Sequence, residues 1–268
     1  RKYYPDYGEH VIDNKPELIK KIHQDYINIG CKYITSGNYV FKPYRQSTWK
    51  EYTIKVLKLL YSLKSNNDFI LLGCIPPYYE SYHLGEFNKD VSLYYSELKN
   101  IVSKYADKYI IETIICPVHM YNICKILDNS LPIIISIYPN DNINKDHIKY
   151  VVSNYNIEAI LINCCDFCTM LKYYNNTIEH LNNLKNVNGE LVKYGFYLNK
   201  INEQEYKNSR CKHGNNKMEL ETFFINDSSD FNKIRLFIDN YRFNNNLLIG
   251  GCCGYDTEEM KKLKTIIN

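Results

Sequence analysis

Seven short apolar runs, rich in β-branched residues, recur along the chain. They are "KYITSGNYV" (Lys32 to Val40), "DFILLGCI" (Asp68 to Ile75), "KYIIETII" (Lys108 to Ile115), "PIIISIY" (Pro132 to Tyr138), "EAILINCC" (Glu158 to Cys165), "LVKYGFYLN" (Leu191 to Asn199) and "NLLIGGCC" (Asn246 to Cys253). Their apolar positions are consecutive instead of alternating, as in strands of a parallel sheet buried on both faces. Between them the spacing turns helical. Eight helices are predicted, beginning near Pro16, Thr48, Val91, Met120, Asp146, Thr169, Asp230 and Thr257. In the first, Leu18, Ile19, Ile22 and Tyr26 share a face, with Asn14 as the cap and Glu17 three residues on. In the last, Asp256 or Thr257 caps and Met260, Leu263 and Ile267 point inward.

Strand and helix alternate throughout, which predicts an α/β fold. A (β/α)8 TIM barrel of one domain, residues 1–268, fits the 268-residue length and the eight helices. One strand is missing from that count. Arg1 to Asp13 ("RKYYPDYGEHVID") is polar and carries turn residues, so nothing strand-like precedes the first helix. Because an open barrel exposes sheet edges, the first strand is expected upstream of Arg1. The polar, weakly patterned segment at 200–228 reads as an inserted loop after the last strand but one.

Composition narrows the function. The 33 basic and 30 acidic residues leave a net charge of +3 with no long run of one sign, so no nucleic-acid partner is expected. The longest apolar runs are far shorter than the ~20 residues of a membrane helix, so no membrane is expected either. No signal-peptide pattern opens the chain. Ten cysteines, several adjacent, suit a reducing compartment with metal chemistry, which predicts a cytoplasmic location.

In a barrel, reactive groups gather at the carboxyl ends of strands. Here those ends carry Ser36 to Tyr39, Cys74, Glu112 with Thr113, Ser136, Asn163 with Cys164, Asn199, and Cys252 with Cys253. Adjacent strand residues point to opposite faces, so Cys252 and Cys253 can share a metal only where the backbone turns sharply. Gly250, Gly251 and Gly254 permit that turn. Cys164 ranks first as a third ligand because it directly follows an apolar strand; Cys165 and Cys168 compete, since "CDFC" has the spacing of a zinc or redox pair. Three thiolates with an open fourth position make a catalytic zinc site that favours a further sulfur. Cys74 is expected to be packing. Glu112 ends an apolar strand, where a carboxylate requires a partner, either a ligand or a neighbouring lysine. His23, His119, His147 and His180 fall on helices and are expected at the surface, while Cys211 and His213 are read as an exposed coincidence.

These motifs resemble the homocysteine S-methyltransferase family. "IGGCCGYDTEEMKKL" is similar to its Gly-Gly-Cys-Cys signature, "IIETIICP" to its Glu-Thr-x-Pro segment, "ILINCC" to its Asn-Cys strand, and "FYLNK" to its Tyr-Pro-Asn segment. The resemblance implies a zinc-dependent barrel that moves a methyl group from a sulfonium donor, S-methylmethionine or S-adenosylmethionine, to homocysteine, forming methionine. It implies Cys164, Cys252 and Cys253 as metal ligands and Glu112 as the residue that holds the amino acid's ammonium group, with substrate contacts from Ser36, Asn38, Tyr39, Ser136, Asn163 and Asn199. Two departures stand out. The family's first-strand Asp-Gly-Gly segment has no counterpart, and its Thr-Asn-Thr-Tyr and Gly-Pro-Tyr segments are replaced by Ser36-Gly37-Asn38-Tyr39 and Pro76-Pro77-Tyr78. They raise an alternative expectation, a catalytically impaired zinc-binding barrel with a binding or regulatory role. With no carboxyl-terminal arm after the last helix, a monomer is expected.

Overall fold

The computed structural model describes residues 7–83, 85–181, 183–199, 229–241 and 247–267. The expected inserted loop at 200–228 lies outside the described residues, as do Cys211 and His213 and the side chains of His180 and Ile267.

Seven strands form one parallel sheet in strict chain order: β1 (Tyr33–Thr35), β2 (Ile70–Ile75), β3 (Lys108–Ile114), β4 (Ile133–Ile137), β5 (Ile157–Asn163), β6 (Lys193–Leu198) and β7 (Leu247–Gly251). Each described helix follows the strand before it: α3 (Trp49–Tyr61), α4 (Lys89–Val102), α5 (Pro117–Leu127), α6 (Lys145–Asn154), α7 (Phe167–Tyr173), α8 (Ser229–Tyr241) and α9 (Thr257–Ile267). Two more, α1 (Tyr7–Asn14) and α2 (Pro16–Ile29), precede β1. This is a partial (β/α)8 barrel; among the described residues no pairing joins β7 to β1, and no eighth strand lies between them.

The sheet separates two buried layers. Leu71, Ile75, Ile111, Ile133, Ile135 and Ile160 pack outward against helices. Leu72, Ile110, Ile134, Ala159 and Leu161 form a smaller inner cluster. Because side chains alternate across a strand, residues two positions beyond the inner cluster must also face inward. Cys74, Glu112, Ser136 and Asn163 are those residues. One parity of the strands therefore carries the polar groups to one mouth of the barrel.

Three local expectations are corrected. The segment read as polar and turn-bearing is helical over Tyr7–Asn14. So short a helix depends on tertiary contacts. Here Ile12 is buried, and Asp13 accepts hydrogen bonds from Lys55 at 2.8 Å and Tyr52 at 2.5 Å. Asn14 closes that helix instead of capping the next one, whose cap is Lys15 without a side-chain bond. On α2, Ile19, Tyr26 and Ile27 pack against the core, whereas Leu18 and Ile22 are exposed. The last helix starts as expected, with Asp256 Oδ1 accepting from the amides of Glu258 and Glu259, and with Leu263 buried. Among the described residues no helix is long and apolar enough to cross a membrane.

Candidate metal centre at the carboxyl mouth of the barrel

The sulfurs of Cys164, Cys252 and Cys253 lie within 4.8 Å of one another, the only such ligand group among the described residues. Three backbone features bring them together. Cys164 adopts a left-handed conformation (φ 55°) as β5 ends, which for a residue with a Cβ costs about 1–2 kcal/mol. Its amide donates to Tyr197 O at 3.0 Å, so the strand ladder runs up to the bend itself. At the other strand, Cys252 N donates to Leu198 O at 2.7 Å and the chain then reverses, Tyr255 N donating to Cys252 O at 3.1 Å.

The glycines divide that work unequally. Only Gly254 has positive φ (82°), at the third position of the turn Cys252 to Tyr255, where a type II turn favours glycine. Gly251 serves close approach, since a Cβ there would stand 2.2 Å from Tyr255 Cβ as the chain folds back. Gly250 needs neither freedom, and a Cβ would meet Tyr197 Cβ at 3.3 Å. The turn that lets both sulfurs converge is thus made by one glycine and made room for by another.

Among the three thiols the charge is shared unevenly. Hydrogen bonds from Cys252 and Cys253, then from Tyr82 and Asn199, hold the Cys164 thiol well below its ordinary value, against the effect of burial. Cys252 and Cys253 are pushed up, the first cause in each case being the Cys164 sulfur. The arrangement favours one thiolate with two thiols donating to it, a pre-assembled set of soft ligands that a thiophilic cation would ionise fully. Cys165 is fully buried on the outer, helix-facing layer and Cys168 is exposed, so neither competitor joins the group. Cys74 is buried and its thiol is pushed up by burial, in keeping with packing.

Glu112 lies on the same inner face and is buried. Burial pushes its carboxyl up to about 7; the hydrogen bond from Tyr197 Oη to Oε2 at 2.5 Å opposes this, and the nearby Cys164 thiolate adds to it. Tyr197 Oη also bonds Ser136 Oγ. No lysine pairs with Glu112 among the described residues, so the simple salt-bridge alternative finds no partner there. Thr113, with φ 54° at the register shift between Ile111 and Ile114, accepts from Asn163 Nδ2 at 3.3 Å.

Two acceptors here are orphaned. Asn163 Oδ1 and Asn199 Oδ1 are buried without a hydrogen-bond partner. Their amide nitrogens fix the orientation: Asn199 Nδ2 donates to Cys164 O at 2.8 Å, so its oxygen must face the other way. Buried unpaired carbonyls each cost about 1–3 kcal/mol, a cost expected where a ligand completes the set.

The remaining expected contacts sort differently. Ser36 and Asn38 are buried and satisfy each other, with Ser36 Oγ donating to Asn38 Oδ1 (2.6 Å), Asn38 Nδ2 to Cys74 O (2.9 Å) and Cys74 N to Ser36 Oγ (2.9 Å). They stitch the end of β1 to β2. Tyr39 Oη bonds Ser81 Oγ at 2.5 Å beside Thr113 and Glu112, on the rim. His119 and His147 hold backbone instead of lying free at the surface: His119 Nε2 bonds Gly85 O at 2.7 Å, and His147 completes a capping box with Asn144. His23 is not free at the surface either, and burial lowers its pKa to about 4.

Two residues escape the reading by strand ends. Tyr197 shares the inward parity of Gly195 and Asn199, so alternation alone could have found it. Tyr82, whose hydroxyl donates to Cys164 Sγ at 2.9 Å, sits in a loop of a chain with 27 tyrosines, where nothing local distinguishes it.

Comparison with known proteins agrees with this geometry. No curated protein matches the chain in sequence. Among solved structures, the homocysteine methyltransferase MmuM from Escherichia coli superposes in its metallated form with a TM-score of 0.71 at 16% identity, covering 99% of this chain and 90% of that one. Its oxidized form gives 0.71 (99% and 89% covered) and its apo form 0.67 (97% and 88%), both also at 16% identity. These matches establish a shared fold. The sequence profile described as homocysteine S-methyltransferase matches residues 5–267, nearly the whole chain. The chain therefore belongs to the homocysteine S-methyltransferase family, a family of enzymes.

Proposed function

We propose that the protein transfers a methyl group from a sulfonium donor, S-methylmethionine or S-adenosylmethionine, to homocysteine, with zinc held by Cys164, Cys252 and Cys253. The carrying observation is that three converging sulfurs share a barrel mouth with a buried carboxylate that no lysine among the described residues pairs. The donor set suits the metal: three soft ligands on fixed backbone, with no fourth protein ligand in the group, match a zinc site that keeps one position for substrate. Zinc bound there supplies ionisation of the homocysteine thiol near neutral pH.

The protein's own residues then orient the nucleophile. Glu112, ionised as it accepts the substrate ammonium, is held by Tyr197, which Ser136 holds in turn. The orphaned oxygens of Asn163 and Asn199 add acceptors, and an ammonium has three donors to offer. Sulfur at one end and ammonium at the other fix the amino acid at two points, which is how orientation lowers a transfer barrier. On the donor side, the Tyr39 hydroxyl and the rings of Tyr82 and Tyr138, with centroids 4.5 Å apart, offer aromatic surface that suits a cationic donor. The reading extends to methionine formation in a reducing, cytosolic compartment, supported by nine free cysteines among the described residues.

The test is methionine formation by the zinc-loaded protein with homocysteine and each donor in turn. Product with one donor identifies it. No product with either, while zinc stays bound, sinks the transfer reading and leaves a zinc-binding barrel without turnover.

A further inference from the structure

A site that gathers three protein sulfurs around a substrate sulfur faces a problem of selectivity. All four are nucleophiles of one chemical type, and an electrophilic methyl group is brought among them. In the unwanted reaction, a lone pair on Cys164 Sγ forms the new carbon–sulfur bond while the donor's methyl–sulfonium bond breaks. The donor leaves as a neutral thioether, and Cys164 becomes an S-methylcysteine with no anionic sulfur left to bind metal.

We propose that Tyr82 protects Cys164 from methylation by hydrogen-bonding its sulfur, so that the methyl group goes to the substrate thiol instead. This rests on the methyl-transfer reading above. Tyr82 Oη donates to Cys164 Sγ at 2.9 Å, and Asn199 Nδ2 stands further off at 3.8 Å. A donor on a thiolate engages a lone pair and lowers the sulfur's reactivity, as hydrogen bonds to metal-ligating sulfurs do generally. Among the described residues neither Cys252 nor Cys253 receives a hydroxyl, so the contact singles out Cys164.

The placement is not an accident of abundant tyrosine. Of the neighbouring tyrosines, Tyr79 turns its hydroxyl to Glu86 O at 2.9 Å, away from the sulfurs. Tyr82 itself takes a left-handed backbone (φ 66°), which bulky residues avoid, and its ring rests on Tyr138. The segment before it is tied to the loop after β1 at four points: Tyr39 to Ser81 (2.5 Å), Lys42 Nζ to Tyr79 O (2.9 Å), Tyr44 to Glu80 (2.9 Å) and Arg45 to Glu80 (2.5 Å). Lys42 is itself buried at 1% exposure, an unusual site for a lysine and a firm anchor for the loop. Tyr82 is 48% exposed, so its contact with the sulfur is not forced on it by burial.

The experiment compares metal-loaded wild type, Tyr82→Phe and Tyr82→Ala. Each is treated with iodomethane and, separately, with S-methylmethionine and S-adenosylmethionine, and methyl occupancy at Cys164, Cys252 and Cys253 is followed by peptide mass spectrometry. Tyr82→Phe keeps the ring on Tyr138 and removes only the O–H. It is expected to raise the rate of Cys164 methylation by about fivefold, the equivalent of one ordinary hydrogen bond, with Cys252 and Cys253 unchanged. Equal rates at Cys164 in Tyr82→Phe and wild type overturn the proposal. A rise in Tyr82→Ala without one in Tyr82→Phe also overturns it, because the ring would then be acting as a steric cover. The iodomethane arm needs no turnover, so it reads Tyr82 even if no methionine forms and the methyl-transfer reading fails.

Discussion

Two carboxylates at opposite ends of the same barrel, Glu112 buried and Glu158 half-buried, are shifted in opposite directions. At the amino-terminal end, Glu158 accepts from Lys193 at 2.9 Å and from Lys108, with Tyr33 Oη a further donor at 3.2 Å. Burial works against its charge, but the two lysines prevail and hold it below the ordinary carboxylate range. At the carboxyl end no cation among the described residues pairs with Glu112, and burial lifts it to about 7. One end has its charges already paired. The other keeps an unpaired carboxylate, two orphaned amide oxygens and two left-handed residues, Thr113 and Cys164, which a ligand can repay. Stability and function are separated along the strand axis, and each end can be broken without the other.

The largest effect is expected from Cys252→Ala. Changes to residues that merely support a ligand already cost ~10–100-fold in metal affinity, so loss of a ligand should weaken zinc binding by more than about a hundredfold, measured by chelator competition. Urea denaturation of the metal-free variant should stay within about 1 kcal/mol of wild type, because Cys252 is not part of the apolar core. Full zinc occupancy in this variant would refute the ligand assignment.

Glu112→Gln should lower kcat/KM for homocysteine by about a hundredfold, as one charge-assisted contact is lost. It should also change how stability depends on pH. A carboxyl raised from 4.5 to about 7 contributes stability that is fully present below the unfolded value and is lost as pH rises through about 7. Metal-free wild type should therefore lose on the order of 3 kcal/mol between pH 5 and pH 8 from this group, as an upper bound. The glutamine variant should not, and melting curves at the two pH values would show parallel behaviour if the assignment is wrong.

At the closed end, Glu158→Ala strands two lysines. The full cost of breaking a buried pair is ~3–5 kcal/mol; with the Lys193 side chain 33% exposed, about 2 kcal/mol is expected in urea denaturation. Zinc affinity should not move, and a loss of it would show that the two ends are coupled. Wild-type Glu158 should also contribute a loss of stability as pH falls below the ordinary carboxylate range, the reverse of Glu112. The smallest effect should come from Tyr197→Phe, about tenfold in KM for homocysteine with kcat little changed, since it removes a positioning hydrogen bond.

Much of this was legible without coordinates, and the misses have physical causes. The seven strands and their parallel pairing could be found because consecutive apolar residues have few other uses. Ser36 and Asn38 show why strand ends are hard to read, because a polar residue there looks the same in sequence whether it faces a ligand or bonds its neighbour, as these two do. The helix at Tyr7–Asn14 was invisible since its stability comes from Ile12 and Asp13 meeting residues about 40 positions away. Tyr82 was missed for a related reason: its partner is 82 positions distant, and its own surroundings are ordinary loop.

The sequence by itself determined which strands exist, which parity faces the barrel interior, and that Cys252 and Cys253 sit at a glycine turn, because all three follow from local spacing and backbone sterics. The sequence ranked Cys164 first as the third cysteine and the fold brought it to the other two; only the tertiary structure decided which glycine makes the turn, which makes room for it, and which tyrosine reaches the sulfur. Those choices depend on atoms brought together from strands and loops far apart in the chain, and spacing along the sequence carries no record of such distances.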